Sequence, residues 1–277
     1  MPIETIKEGY ITDYISGLSV RETPEEVDAV QPFSKILVDD YGYPKGFVHT
    51  RPQYRVKARP SDRKKEYPVD IAVFSSAVHD EKSIYIIVEC KKKNRTDGRD
   101  QLEDYLRFSN ACLGVWFNGE ERLYLHKIIK DGEIQFREIP NIPRYGERLE
   151  DIGMFKRKDL RKAENLKPTF RAIRNYLAAN AVGITRDEVF ASQLINLIFC
   201  KIYDERFTKP DDTVKFRAGV NESDEDIRNR ILGLFEQVKR QYSDVIEISD
   251  SIQLDSRSIK YIVGELQLYS LKDSSRD

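Results

Sequence analysis

Pro68-Val69-Asp70-Ile71-Ala72-Val73-Phe74 and, after a polar interval, Ile84-Tyr85-Ile86-Ile87-Val88-Glu89-Cys90-Lys91 decide how this chain is read. Both runs are rich in β-branched and aromatic residues, and the polar segment 75–83 between them marks a hairpin or near-hairpin. Side chains alternate along a strand, so Glu89 and Lys91 point to one face and Val88 and Cys90 to the other. Asp70, on the partner strand, can reach the same side as Glu89. Burying an acid in so apolar a run costs several kcal/mol unless it is paired or bound to metal. Two carboxylates with the main-chain carbonyl of Cys90 between them offer the hard oxygen ligands that Mg²⁺ prefers, with Mn²⁺ as a substitute. Such an ion activates water and stabilises negative charge developing on phosphorus. Lys91 can orient that water, accept its proton if its own pKa is depressed, or pair with the scissile phosphate. The expected chemistry is metal-assisted phosphodiester hydrolysis. Glu-x-Lys alone occurs by chance in most proteins, and acids at strand ends are common as solvated decoration. What argues for a site is two acids set in two apolar runs with a lysine beside them.

Outward from this pair, the first half alternates helix and strand. Thr23-Pro24-Glu25-Glu26 is a helix start, with an N-cap threonine, an N1 proline and early acids, and Val27, Val30, Phe33, Ile36 and Leu37 follow at helical spacing. Tyr41-Gly42-Tyr43-Pro44 ends that helix. A short strand is expected over 54–57, then a basic loop over 59–65. Leu102 and Leu106 share one face of a helix over 100–108, and Asn118-Gly119 joins a hairpin of 113–117 with 122–129. Prolines and glycines interrupt 139–168, which then turns basic. Beyond it, helical patterns occupy 169–179, 186–206, 224–242 and 256–269. The expected organisation is a domain over 1–145, a linker over 146–168 and a helical domain over 169–277. The chain stops at Ser274-Ser275-Arg276-Asp277 without a finishing signal, so continuation into a longer protein is expected.

Composition sets few limits. The 277 residues carry 46 basic and 47 acidic side chains, a formal net charge of −1, so any phosphate-binding surface must be local. No basic-then-apolar leader opens the chain at Met1-Pro2-Ile3-Glu4-Thr5, and nowhere do about eighteen apolar residues run together. A cytoplasmic protein with no membrane partner is the default. Cys90, Cys112 and Cys200 are odd in number and contain no CxxC pair, which argues against a disulfide framework or structural zinc. His49, His79 and His126 fall in separate segments without ligand spacing, and surface or satisfied positions are expected for all three.

Pro68-Val69-Asp70 followed by Glu89-Cys90-Lys91 resembles the PD-(D/E)xK nuclease superfamily. The helix begun by Thr23-Pro24-Glu25-Glu26, the strand 87–91 and Gln101-Leu102-Glu103-Asp104-Tyr105 narrow the resemblance to the N-terminal domain of type I restriction enzyme R subunits, over about residues 20–130. The resemblance implies an α/β restriction-endonuclease-like core, a mixed central sheet flanked by helices, followed here by an all-α domain. It implies that Gln101 and Tyr105, which match that family's Gln-x-x-x-Tyr motif, contact DNA or support the catalytic groups. As i, i+4 residues they share a helical face, and the bland alternative is a half-buried tyrosine beside a surface glutamine. Glu26 matches the acid that the superfamily often carries on its first helix, although a first-turn acid is also favoured by the helix dipole alone.

No GxxxxGK[ST] motif is present, so the ATP-driven motor of type I enzymes is absent from this chain. Instead, Leu197-Ile198-Phe199-Cys200-Lys201-Ile202-Tyr203-Asp204-Glu205 is similar to the helical segment that precedes the catalytic domain of N6-adenine DNA methyltransferases. That implies a methyltransferase and a target-recognition domain in the full chain or as separate subunits. The methyltransferase's own motifs are missing, so no methylation is expected from these residues alone. Basic stretches at 55–65, 91–99 and 156–162 could contact phosphates, though charge runs are usually solvated faces. Lys92, Lys93 and Arg95 have the strongest case because they adjoin the acids and can position DNA without reading its sequence. The expected function is a Mg²⁺-dependent endodeoxyribonuclease of a restriction-modification system, acting on double-stranded DNA. The competing expectations are a DNA-binding or assembly module that keeps the fold without turnover, and a structure-specific repair nuclease.

Overall fold

The computed structural model describes residues 7–57, 61, 65–163, 166–180, 187–247 and 249–273. Most of the basic loop expected over 59–65, the residues around Met1 and Ser274, and the expected helix start at Arg186 lie outside the described residues. The chain divides into two compact units, residues 1–146 and 147–277.

The first unit opens with a small hairpin, β1 (Tyr10–Thr12) and β2 (Ser19–Arg21). A helix follows from Pro24, with the Thr23 hydroxyl accepting a hydrogen bond from the Glu26 amide at 3.2 Å, as the N-cap expectation requires. Its next turn, Glu26–Val30, is π-helical before α1 (Gln31–Asp39) continues in register. Then come β3 (Val48–His49), β4 (Arg55–Val56), β5 (Tyr67–Pro68), β6 (Ile71–Phe74), β7 (Ile84–Cys90), α2 (Arg99–Phe108), β8 (Leu113–Phe117), β9 (Arg122–Lys130) and β10 (Glu133–Ile139).

Six of these strands form one sheet in the order β10-β9-β8-β7-β6-β3. Only β7 and β8 run parallel; every other neighbour is antiparallel. The parallel pair requires a crossover, and α2 is that crossover, packed back on β7 and β8. The period of two then sorts the core. Ala72, Phe74 and Ile87 pack with Leu102, Tyr105 and Leu106 on the α2 side. On α1, Phe33 meets Phe117 with ring centroids 5.1 Å apart. The architecture is a mixed sheet flanked by helices.

Residues 147–163, in the stretch expected as a linker, are folded. Ile152, Phe155 and Ala163 are buried, and β11 (Arg161–Lys162) pairs in parallel with β12 (Tyr269–Ser270). Between those strands lie α3 (Lys167–Asn180), α4 (Asp187–Phe207), α5 (Asp224–Gln241) and α6 (Ser256–Leu266). Ser223 and Asp255 cap α5 and α6, accepting from the amides of Asp226 at 3.1 Å and Ser258 at 2.8 Å. The core of this unit joins Ile173, Leu197, Phe216, Ile231, Phe235 and Ile262. Asp204 and Glu205 on α4 are buried because they satisfy backbone donors: Asp204 accepts from Lys215 and Phe216, and Glu205 from Leu271 and Lys272.

Candidate active site

β6 and β7 pair with Ile71 opposite Val88, and one step further in the same register Asp70 comes opposite Glu89. Opposed residues share a face of the sheet, here the face that carries α2. Asp70 is tied to the neighbouring strand, since its carboxylate accepts a 2.8 Å hydrogen bond from the Cys90 amide. Glu89 is nearly sealed, its side chain 3% exposed, and forms an ion pair with the Lys91 ammonium, itself 15% exposed. From Lys91 the contacts continue onto α2: a long 3.5 Å contact to Gln101 Oε1, then a 2.6 Å hydrogen bond from Gln101 Nε2 to the Tyr105 hydroxyl. Asp70, Glu89, Lys91, Gln101 and Tyr105 are therefore brought together by one hairpin and one crossover helix. Tyr105 is buried and Gln101 exposed, so the tyrosine packs in the core while its hydroxyl serves the cluster.

The turn into α2 fits closely around Lys91. Gly98 has φ +103°, and a Cβ there would stand 2.6 Å from Lys91 Cε. Trp116, the register partner of Glu89, donates its indole N–H to the Asp97 carbonyl at 2.8 Å. Gly98 thus lies against the lysine stem, with the Trp116 indole beside it.

Burial dominates the electrostatics. It raises the Glu89 pKa to about 8, the charge of Asp70 adds to the rise, and Lys91 offsets only part of it. Burial likewise raises Asp70 to about 6, with the Cys90 amide opposing and the charge of Glu25 assisting. For Lys91, burial pulls the pKa down, but the hydrogen bond to Glu89 and the charges of Glu89, Asp70 and Glu25 outweigh it, and the net shift is upward. In this arrangement Lys91 is a held cation, paired with Glu89.

Glu26, expected as a weak metal ligand, is engaged elsewhere. Its carboxylate forms an ion pair with Arg51 and accepts 3.0 Å from Gln31 Nε2, which also donates to buried Asp13 at 2.8 Å. The acid whose field reaches Asp70, Glu89 and Lys91 is its neighbour Glu25. Among the expected DNA contacts, Lys92 is exposed, Lys93 lies 3.2 Å from Asp28, and Arg95 is ion-paired with Asp97. The Cys90 side chain is fully buried, leaving its main chain as the part that can serve the site. Among the described residues, no three His, Cys, Asp or Glu side chains form a metal-holding group; the donors on hand are two carboxylates and a main-chain carbonyl.

Residues 24–143 match the family described as type I restriction enzyme R protein N terminus. The matched span begins at the helix start and ends just beyond β10, so it contains the six-stranded sheet, α2 and every residue of the acid-lysine cluster. No curated protein matches the chain in sequence. Among the described residues, no helix is long and apolar enough to cross a membrane.

Proposed function

We propose that the chain is the nuclease part of a restriction-modification enzyme, a divalent-metal-dependent endonuclease that hydrolyses phosphodiester bonds of double-stranded DNA. The single observation carrying this is the convergence of Asp70, Glu89 and Lys91 at the β6–β7 edge, inside the span that matches type I R subunits. Burial raises the proton affinity of Asp70 and Glu89, and the charge of Asp70 raises that of Glu89 further; a hard dication relieves that condition, so the donor set of Asp70, Glu89 and the Cys90 carbonyl fits Mg²⁺ or Mn²⁺. When bound, such an ion supplies an activated water and charge neutralisation at phosphorus.

The chain's own groups do the rest. Lys91, a cation held beside Glu89, would pair with a phosphate oxygen. Gln101, braced by Tyr105, steadies the lysine. Lys92, exposed beside the cluster, meets the DNA backbone. The helical unit, with α4 at its centre, is read as the segment that leads to a methyltransferase and target-recognition partner. The test is incubation of the chain with supercoiled plasmid and Mg²⁺ or Mn²⁺, beside the Asp70→Ala variant. Nicking or linearisation by the parent alone is expected. Metal-independent DNA binding without cleavage by either protein would replace the proposal with a non-cleaving module.

A further inference from the structure

His49 on β3 and His79 in the β6–β7 turn meet with their Nδ1 atoms 2.9 Å apart. The other nitrogen of each ring faces a main-chain carbonyl: His49 Nε2 that of Pro52, and His79 Nε2 that of Gly46 at 2.9 Å. A carbonyl oxygen offers only lone pairs, so both Nε2 atoms must carry hydrogen. Two neutral rings held in this way would oppose lone pair to lone pair at Nδ1. One proton between them removes the conflict, and the separation is the usual length of a hydrogen bond donated by nitrogen. A metal ion does not suit this geometry. Ligand nitrogens converge on an apex, whereas these ring centroids lie 5.1 Å apart, about the nitrogen separation plus a ring radius at each end, which sets the two lone pairs on one line.

Aromatic rings and acids surround the pair. Phe74 stacks on His79 at 4.4 Å, and the Tyr54 ring meets His49 edge-on at 6.0 Å. Burial raises the Tyr54 phenol, and the charges of Glu81, Asp80 and Glu66 raise it further, so three acids act across this aromatic pocket. On the β3 side the cations are committed elsewhere: Lys45 lies over the Tyr14 ring, and Arg51 pairs with Glu26.

We propose that His49 and His79 share one proton as a singly charged pair that clasps the β6–β7 turn to β3 and holds residues 49–52, Arg51 included, in place. Losing that proton sets lone pair against lone pair, and adding a second sets N–H against N–H. The clasp therefore holds between the two events and loosens on either side. Its effect on the acids through Arg51, whose charge acts on Asp70, rests on the proposed function; the clasp itself does not.

Nitrogen-15 NMR of the full chain at neutral pH tests the pair directly. Three protons over four ring nitrogens are expected, with both Nε2 atoms protonated. A bare Nε2 on either ring, or two bare Nδ1 atoms, would overturn the proposal. A double-mutant cycle of His49→Asn and His79→Asn, read by thermal unfolding from about pH 5 to 9, gives a second measure. The coupling should peak at intermediate pH and fall at both ends; a flat or monotonic coupling refutes it. Neither measurement uses DNA or metal, so failure of the clasp and failure of the nuclease assignment are told apart.

Discussion

At the scale of single residues, Lys91 is the cation on which the candidate site turns. It is held by Glu89 and kept charged by the surrounding acids, so Lys91→Ala should lower plasmid cleavage by at least about 100-fold with the circular dichroism spectrum unchanged. Equal cutting by the variant would remove the lysine from the mechanism. The two acids make a second prediction. Both have pKa values raised on folding, so the native state binds protons that the unfolded chain has released, and stability falls as pH rises through about 6 and then about 8. Metal-free protein should lose melting temperature from pH 4 to pH 8. Asp70→Asn and Glu89→Gln should each flatten the profile and, at the alkaline end, stabilise by on the order of 1–3 kcal/mol. A profile equally steep in both variants would show that these acids are not its source.

At the scale of elements, the β7–α2 connection determines where the lysine points. Gly98→Ala forces a side chain onto a left-handed backbone and into the Lys91 stem, so both cleavage and stability should drop, the latter by about 1–3 kcal/mol. Gly132→Ala is the control, with φ +82° and nothing near its Cβ. It should cost only about 1 kcal/mol of backbone strain and leave cleavage intact. The same scale shows what periodicity can and cannot find. The β6–β7 hairpin, α2 and the β8–β9 hairpin were legible because apolar spacing and Asn118-Gly119 mark them. The strand β10 was missed although Asp131-Gly132, both at positive φ, is the same kind of turn signal. It matters to the site, because Arg99 at the start of α2 bonds Glu138 on β10 at 2.7 Å as well as Glu103 at 3.0 Å. The π-helical turn at 26–30 was beyond reach for another reason. It buries Glu26, Ala29 and Val30 and turns Val27 out to solvent, so the apolar spacing expected through Val27 does not hold across it.

At the scale of the whole molecule, two compact units with separate cores should unfold in separable steps. Trp116, the one tryptophan, lies beside Glu89 and reports the first unit, whereas helical circular dichroism is weighted toward the second. The two signals should give different denaturant midpoints, and Mg²⁺ at pH 8 should shift the fluorescence transition far more than the helical one, since a ligand stabilises the unit that binds it. Coincident transitions moved equally by Mg²⁺ would refute this. The sequence by itself determined the α/β class of the first half, the helical character of the second, and the trio of Asp70, Glu89 and Lys91. Those features are local, set by apolar periodicity, turn chemistry and the cost of an acid in an apolar strand. Only the tertiary structure decided that Glu26 is committed to Arg51 and Gln31, that Lys91 is paired with Glu89, that residues 147–163 are folded into the second unit, and that His49 finds His79. Each of those depends on which groups meet at low dielectric, where burial and neighbouring charge, rather than spacing along the chain, set what a side chain does.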